Sequence, residues 1–224
     1  LLDVSDAEEA AKKMNVPFHV FDLRNEFTEK VIGNFISTYE AGGTPNPCIV
    51  CNKHLKFGAM LDKAIEMGFD FIATGHYARI EFDKETGRYL LKKGLDEKKD
   101  QSYFLYTLTQ NQLSHTIFPL GGMTKDEVRA IAESLNLINA KKRDSQDICF
   151  VPDGNYAGYI QRKVNKTYPK GSFIDTSGKV LGEHQGIINY TIGQRKGLGI
   201  ALGKPAFVKN IDPDSNTVTL CDNE

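Results

Sequence analysis

Two prolines flank Asn46 in the segment TPNPCIVCNK, residues 44–53, and they restrict the backbone more than any other part of the sequence. Proline fixes φ near its helical value and has no N–H to donate, so it is favoured at the first position of a helix. Asn46 is a good N-cap residue for a helix that begins at Pro47. We therefore predict a helix from Pro47 to about Met67.

Apolar runs alternate with helical patterns in the first half of the chain. FHVFDL (18–23) and FDFIAT (69–74) predict buried strands, and apolar residues at helical spacing predict a helix over 27–39. Residues 78–94 alternate in hydropathy around a turn, which predicts a hairpin. Strands that alternate with helices indicate an α/β layer with a parallel sheet.

Two capping boxes are predicted to open helices. In such a box the N-cap hydroxyl accepts a hydrogen bond from the backbone N–H of the third helical residue. The side chain of that third residue accepts one from the backbone N–H of the N-cap residue. Ser5 with Glu8 predicts the start of the first helix, and Thr124 with Glu127 predicts the start of a later one.

A domain boundary is predicted near residue 155, where glycine-punctuated short strands begin. The first domain, 1–155, is then an α/β domain with a helical insertion near 116–137. The second, 156–224, is smaller and mostly β.

Charge and composition limit the class of protein. The net charge is −1, yet residues 186–209 carry four bases and no acid, which suits an anionic partner or a solvated basic surface. No apolar run approaches the thickness of a bilayer, and no leader pattern opens the chain, so we expect no membrane association. Four cysteines without a signal peptide favour a reducing, cytoplasmic location.

The Cys48-x-x-Cys51 pair sits at the predicted helix start. The helix dipole and the nearby bases favour a thiolate there. The bases are Lys53, His54 and Lys56. From the residues alone the pair fits a redox pair, half of a metal site, one activated nucleophile, or two buried side chains.

Cys149 is predicted to lie in a short strand, DICF, behind a polar and basic segment. A lone cysteine in a strand is often part of the core. As a second thiol matched to Cys51, it would allow one thiolate to attack a persulfide sulfur on the other.

Two further motifs suit ligand binding. Gly75 and His76 directly follow the predicted strand 69–74, and glycine at the carboxyl end of a parallel strand permits close approach of a nucleotide. Bases precede aromatic residues in DEKKDQSYFLY, which suits phosphate contact and base stacking. A structural histidine and a core position for the aromatics, Tyr103, Phe104 and Tyr106, are the alternatives.

Five motifs occur in one order along the chain: TPNPCIVCNKHLKF, FIATGHYAR, KKDQSYFL, AKKRDSQDICF and GEHQGIINYTIGQRKGLGI. Together they closely resemble the tRNA-specific 2-thiouridylases, which thiolate the wobble uridine of certain tRNAs. The resemblance covers essentially all 224 residues.

The resemblance implies roles for individual residues. Cys51 is the nucleophile, and Cys149 takes up a persulfide and supplies the sulfur. The residues that would lie against the target base are Asn46, Pro47 and Cys48. Gly75 contacts ATP, and the residues that contact tRNA are His76 and the tripeptide Lys99, Asp100 and Gln101.

The reaction that the resemblance implies is adenylation of the uracil 2-oxygen by ATP with Mg²⁺. Persulfide sulfur then attacks C2, AMP leaves, and Cys51 resolves the Cys149 persulfide by forming a disulfide. The implied partners are tRNA and a persulfide donor protein, either a cysteine desulfurase or a relay. The implied fold is an adenine-nucleotide α-hydrolase-like, Rossmann-like catalytic domain followed by a smaller α+β domain.

The chain departs from the family pattern in three ways. The glycine-rich phosphate loop and the C-terminal β-barrel are absent, so the catalytic domain is truncated, and we expect this chain to bind ATP poorly and to be inactive alone. Cys48 stands where many members carry Asp. With Cys51 and Cys149 it would suit a [4Fe–4S] cluster with an exchangeable sulfur. A non-catalytic RNA-binding module and a thioredoxin-like oxidoreductase are the alternative functions.

Overall fold

The computed structural model describes residues 2–137, 140 and 147–222, and the chain divides into two compact units. Unit 1 comprises Leu1–Phe27 and Cys48–Asp144, and unit 2 comprises Thr28–Pro47 and Ser145–Glu224. Each unit is a set of residues that contact one another, and it is not a continuous stretch of the sequence. The division into domains at residue 155 stays a prediction.

Eight α-helices occur in the described part of the chain. In chain order they are α1 (Leu2–Lys13), α2 (Arg24–Glu26), α3 (Gly33–Glu40), α4 (Pro47–Cys51), α5 (Met60–Glu66), α6 (Gln110–Ser114), α7 (Lys125–Ser134) and α8 (Tyr156–Val164). A π-helical segment, Phe27–Ile32, joins α2 to α3, and another, Asn52–Ala59, joins α4 to α5. The predicted helix from Pro47 is thereby confirmed, with a kink at Gly58. Short 3₁₀ turns occur at Ser102–Leu105 and Ile187–Asn189.

Eight strands form three sheets in the described residues. They are β1 (Ile72–Ala73), β2 (Ala78–Asp83), β3 (Arg88–Lys93), β4 (Thr116–Ile117), β5 (Gly171–Ile174), β6 (Val180–His184), β7 (Phe207–Asp212) and β8 (Thr217–Cys221). β1 pairs with β4 in parallel, and β2 pairs with β3 as the predicted antiparallel hairpin. The parallel pair among helices confirms the α/β class for unit 1.

The core of unit 1 gathers apolar side chains from the long helical segment, the strands and the 3₁₀ turn. Its buried members are Phe57, Leu61, Ile72, Ala78, Leu105, Leu108, Leu113 and Phe118. The hairpin lays partly buried residues of both strands against this cluster, and its turn is closed by Asp83, which accepts from the Glu85 N–H and the Thr86 hydroxyl. The core therefore holds the helix that carries Cys51 and the strand before Gly75 in one body.

Unit 2 contains a mixed four-stranded sheet in the order β6-β5-β8-β7. β5 and β8 are parallel, and the other pairings are antiparallel. Buried Phe173, Val208 and Val218 fill the sheet's core, and Ile160 is the fully buried residue of α8. Within residues 156–222 the short strands and α8 agree with the smaller domain of the predicted fold class.

The starts of α1 and α7 test the two predicted capping boxes. The Thr124–Glu127 capping box is confirmed, with both reciprocal hydrogen bonds present at the start of α7. The Ser5–Glu8 box is wrong, because α1 begins at Leu2 and Ser5 lies inside it. An N-cap residue has non-helical backbone angles, so a residue within the helix cannot serve as one.

The strand predicted at 18–23 is wrong: the described chain has no regular element there, and Val20 is 66% exposed. The strand predicted at 69–74 is present only as Ile72–Ala73. Phe69 and Phe71 are both more than half exposed. A strand requires a neighbour for its backbone groups, and only β4 pairs with this segment in the described residues. Within 116–137, β4 precedes the helical part, α7.

None of the described helices is both long and apolar enough to cross a bilayer.

Two adjacent glycines offer a test of the packing in unit 1. A Cβ at Gly121 would lie 1.8 Å from the carbonyl oxygen of Ala78, whereas a Cβ at Gly122 would meet no atom within 4 Å. We expect Gly121→Ala to lower the free energy of unfolding by about 1–3 kcal/mol through overpacking. Gly122→Ala is the matched control and should stay within about 0.5 kcal/mol of the parent. Urea unfolding measures both, and equal stability of the two variants would contradict the close approach.

Candidate functional site

Helix α4 places two thiols as the sequence predicts. It begins at Pro47, Cys48 in its first turn is exposed, and Cys51 at its end is half-buried. All four cysteines of the chain are thiols in this structure, so the implied disulfide stays a prediction. The two positions differ in access to solvent although they share one short helix.

Asn52 ties this helix to the turn at 102–105. Its side chain is 2% exposed, and its Nδ2 donates to the carbonyl oxygen of Phe104 at 3.0 Å. Gln112 makes a second tie from α6, since its Nε2 donates to the carbonyl oxygens of Phe57 at 2.7 Å and Lys53 at 3.3 Å. A π-helical segment departs from the regular hydrogen-bond ladder, and side chains from outside bind its carbonyls here. The π-helical segment that follows Cys51 is thus held by two sets of hydrogen bonds.

Gly75 follows β1 at the carboxyl end of the parallel pair. The Thr74 N–H donates to the Ile117 carbonyl at 3.2 Å and ends the pairing. Gly75 itself is exposed, and a Cβ there would meet only Leu120 Cδ1, at 3.6 Å, among the described residues outside its chain neighbours. Nucleotides bind at this edge of parallel sheets, so the backbone at Gly75 is open to a ligand in the expected place.

His76 is buried between two aromatic rings. Its ring centroid lies 5.7 Å from that of Phe57 and 5.8 Å from that of Phe118, and its Nδ1 is 2.7 Å from the Thr74 hydroxyl. Burial, followed by the positive charge of Lys56, lowers the pKa of His76 to about 4. The ring is therefore neutral at neutral pH. It cannot attract phosphate as a cation, and its tRNA contact stays a prediction.

The tripeptide at 99–101 is joined directly to the His76 motif. The Tyr77 N–H donates to Gln101 Oε1 at 3.0 Å, and the Gln101 N–H donates to the Tyr77 carbonyl at 2.9 Å. Asp100 accepts from the Gly94 N–H and from the Ser102 N–H and hydroxyl. Burial raises the pKa of Asp100, but these hydrogen bonds outweigh it and lower the pKa overall. Asp100 and Gln101 thus hold the backbone of the site, and Lys99 beside them is half-buried.

The aromatic residues after this tripeptide do not all enter the core. Tyr103 is 65% exposed and Tyr106 is 66% exposed, so a core position is wrong for both, whereas Leu105 between them is fully buried. In a 3₁₀ turn, residues one and two apart point in different directions, which separates Leu105 from its neighbours. The two tyrosine rings, 6.2 Å apart, leave an aromatic surface on which a base can stack.

Cys149 lies in a turn of unit 2, and the strand predicted for it is wrong. Its thiol is exposed, while the chain on both sides is anchored. Asp147 accepts hydrogen bonds from the Tyr156 hydroxyl and from the Ile148 N–H. Phe150 packs edge-on against Phe35 with ring centroids 5.3 Å apart. The tight hydrogen bond to Asp147, with burial, raises the pKa of Tyr156 to about 12.

The predicted residues fall into both units. Unit 1 brings the Cys51, His76 and Gln101 motifs together through the hydrogen bonds of Asn52 and Tyr77. Unit 2 contains half-buried Asn46, buried Pro47 and exposed Cys149. The segment AKKRDSQ before Cys149 lies outside the described residues except for Ala140.

Sequence reasoning missed two residues that hold the site, Asn52 and Tyr156. Each looks like an ordinary helix or core residue, because its partner is distant in the sequence. The one local signal is a polar Asn52 directly after Cys51, inside an otherwise apolar helix face. A buried amide needs partners, which indicates a specific contact.

A metal site finds little support in the described residues. Across 2–137, 140 and 147–222, no three His, Cys, Asp or Glu side chains form a group that could hold a metal ion. The iron–sulfur cluster on Cys48, Cys51 and Cys149 stays a prediction.

Comparison with known families accounts for nearly the whole chain. Residues 2–153 match the family model described as the tRNA methyl transferase HUP domain, and residues 157–222 match the one described as the tRNA methyl transferase PRC-barrel domain. This chain belongs to that family. A HUP domain is adenine-nucleotide α-hydrolase-like, which confirms the predicted fold class and fits ATP binding.

Curated relatives in the family carry the name tRNA-specific 2-thiouridylase MnmA. The Clostridioides difficile protein is 54% identical over 221 residues, which are 99% of this chain and 61% of that protein. The Moorella thermoacetica protein is also 54% identical over 221 residues, with 99% and 62% covered. The resemblance to 2-thiouridylases is thus confirmed, and the chain spans about three fifths of the length of these relatives.

The pKa of His76 makes stability depend on pH. Unfolding restores the ordinary pKa of 6.5, so between about pH 6.5 and 4 the unfolded chain binds a proton that the folded chain does not. The free energy of unfolding should fall as the pH falls through this window, by up to about 3 kcal/mol from this residue. Urea unfolding of parent and His76→Gln at several pH values measures it. The variant should lose this part of the slope, and an unchanged slope would contradict the buried neutral ring.

The Tyr156–Asp147 hydrogen bond should keep the Cys149 turn closed. The Val151 N–H donates to the Ile148 carbonyl across this turn, so its exchange with solvent reports opening. We expect Tyr156→Phe to speed exchange of the Val151 amide about tenfold, as the loss of about 1.4 kcal/mol would. Tyr159→Phe is the matched control, because the ring of Tyr159, 5.4 Å from that of Phe150, remains in place. Equal exchange in both variants would show that the hydrogen bond does not hold the turn.

Proposed function

We propose that this chain acts in the ATP-dependent transfer of sulfur to C2 of the wobble uridine of tRNA. The observation that carries the proposal is the pair of thiols Cys51 and Cys149, each fixed by its own contacts, in a chain 54% identical to proteins named 2-thiouridylases. Exposure of Cys149 suits uptake of a persulfide from a donor protein. Partial burial of Cys51 suits a nucleophile that acts beside a bound base.

The first chemical step activates the base. The uracil 2-oxygen attacks the α-phosphorus of ATP, an O–P bond forms and pyrophosphate leaves. An oxygen on C2 is a poor leaving group until it is adenylated, so this step must precede sulfur transfer. ATP would bind beside Gly75, where the backbone is open at the carboxyl end of β1. Mg²⁺, when bound, would neutralise charge on the phosphates.

The second step moves the sulfur. The terminal sulfur of the Cys149 persulfide attacks C2, the C2–O bond breaks, and AMP leaves with the oxygen. The thiolate of Cys51 then attacks the Cys149 sulfur, and the electron pair of the broken S–S bond remains on the sulfur that is bonded to C2. The products are 2-thiouridine and a Cys51–Cys149 disulfide, which a dithiol reductant returns to two thiols.

Other residues would bind the substrates. Asn46, Pro47 and Cys48 would lie against the target base, and Lys99 and the neutral ring of His76 would contact the tRNA. Asp100 and Gln101 would act on tRNA chiefly through the backbone that they hold. The partners are tRNA and a cysteine desulfurase or relay protein, and the proposed compartment is the cytoplasm.

Other chemistries are less well supported. A thioredoxin-like pair needs Cys48 and Cys51 alone and leaves Cys149 on its anchored turn without a role. An RNA-binding module needs neither thiol. An iron–sulfur mechanism needs Cys48, Cys51 and Cys149 together as ligands, and the sulfur transfer proposed above needs only Cys51 and Cys149.

Cysteine variants of the full-length protein test the proposal. With ATP, a persulfide donor and tRNA, Cys51→Ser and Cys149→Ser should each lower 2-thiouridine formation more than about a hundredfold, because each removes a sulfur that forms a bond. Cys221→Ser is the control and should keep the parental rate. Nucleoside mass spectrometry of the tRNA measures the product.

The same assay separates the alternatives. Loss of product in Cys48→Ser with a normal rate in Cys149→Ser would favour a Cys48–Cys51 redox pair. Normal product from both Cys51→Ser and Cys149→Ser would overturn the sulfur-transfer proposal.

A further inference from the structure

A cavity in unit 2 lies within the basic segment that the proposed chemistry leaves unused. Its volume is about 440 Å³, and it is formed by the loop between Arg195 and Ala206. Residues 186–209 contain four bases and no acid. The net positive charge of this segment favours an anionic ligand.

The loop around the cavity is built by specific hydrogen bonds. Gln194 accepts from the Thr191 N–H at 2.9 Å and donates to the Lys196 carbonyl at 3.0 Å. Its own carbonyl accepts from the Val208 N–H at 2.9 Å, which joins the loop to β7. Gly197 and Gly199 have positive φ, which lets the chain reverse direction twice around buried Leu198. The cavity is thus largely formed before any ligand binds.

Four apolar side chains line the cavity, Leu198, Ile200, Leu202 and Pro205. Ile200 is packed so closely over β6 that a Cβ at Gly182 would lie 2.7 Å from its Cδ1. These side chains offer an apolar contact of the kind that a base or a ribose can use.

Two cations also line the cavity, Arg195 and Lys204. The Arg195 guanidinium lies over the ring of Phe207, 5.9 Å from its centroid, which limits its freedom while leaving its N–H groups available. Lys204 pairs with Asp222 at 2.5 Å, and both side chains are about 60% exposed. Such an exposed pair contributes little stability, so Lys204 can turn to a stronger anion at small cost.

We propose that this cavity binds one nucleotide of the tRNA outside the target base, with the phosphate on Arg195 and Lys204 and the base or ribose on the apolar side chains. The inference rests on the proposed function for the identity of the RNA. The volume lies within the range of small-ligand sites and suits a single nucleotide. Contacts of this kind position RNA on a protein without reading its sequence.

Binding of tRNA by the full-length protein, measured by fluorescence anisotropy over a range of salt concentrations, tests the site. Arg195→Gln should lower the affinity about threefold to tenfold and reduce the salt slope by about one. Ala201→Trp fills the cavity without changing charge and should lower the affinity similarly, since Ala201 lines it. Lys179→Gln, which removes an equal charge elsewhere in unit 2, should bind tRNA as the parent does.

Each other result has a distinct meaning. If the parent binds tRNA and both Arg195→Gln and Ala201→Trp match Lys179→Gln, the cavity site is overturned and the proposed function stands. If Arg195→Gln weakens binding while Ala201→Trp does not, the anion lies outside the cavity, and the proposal also fails. If polyglutamate displaces the tRNA as well as polyuridylate does, the site binds acidic polypeptide instead. A parent that binds no tRNA overturns the proposed function itself.

Discussion

The reciprocal hydrogen bonds between Gln101 and Tyr77 are the interaction on which the site in unit 1 depends. They join the segment after β1, with Gly75 and His76, to the turn at 102–105. Asn52 then fastens the helix of Cys51 to the same turn through the Phe104 carbonyl. Three segments that are far apart in the sequence are thereby joined, and Cys51, Gly75 and the exposed tyrosines are held in a single unit.

Local chemistry in the sequence was enough to predict several elements. Pro47 set the start of a helix, Thr124 with Glu127 set the start of another, and the alternating pattern at 78–94 gave the hairpin. These features depend on residues within a few positions of one another. Ser5 shows the limit of the same reasoning, because a good N-cap residue can also lie one turn inside a helix.

Two other wrong predictions, unlike the Ser5 capping box, concern contacts between residues that are distant in the sequence. The apolar run at 18–23 has the composition of a strand, but a strand also needs a partner, and composition does not show whether one is present. Cys149 was placed in a strand for the same reason, although its position is set by the Asp147–Tyr156 hydrogen bond and by Phe150 in an aromatic cluster. Motif order still indicates the family, because motifs are recognised by residue identity and spacing rather than by secondary structure.

The two thiols differ in exposure and in the contacts that hold them, and the proposed sulfur transfer depends on this difference. Cys149 is exposed on an anchored turn, while Cys51 is half-buried at the end of a tied helix. The most direct measurement is a single turnover of the full-length protein loaded with a heavy-sulfur persulfide on Cys149, with mass spectrometry of the tRNA and of the cysteine peptides. We predict heavy sulfur in 2-thiouridine and a new Cys51–Cys149 disulfide. Unlabelled 2-thiouridine, or a Cys48–Cys51 disulfide in its place, would contradict it.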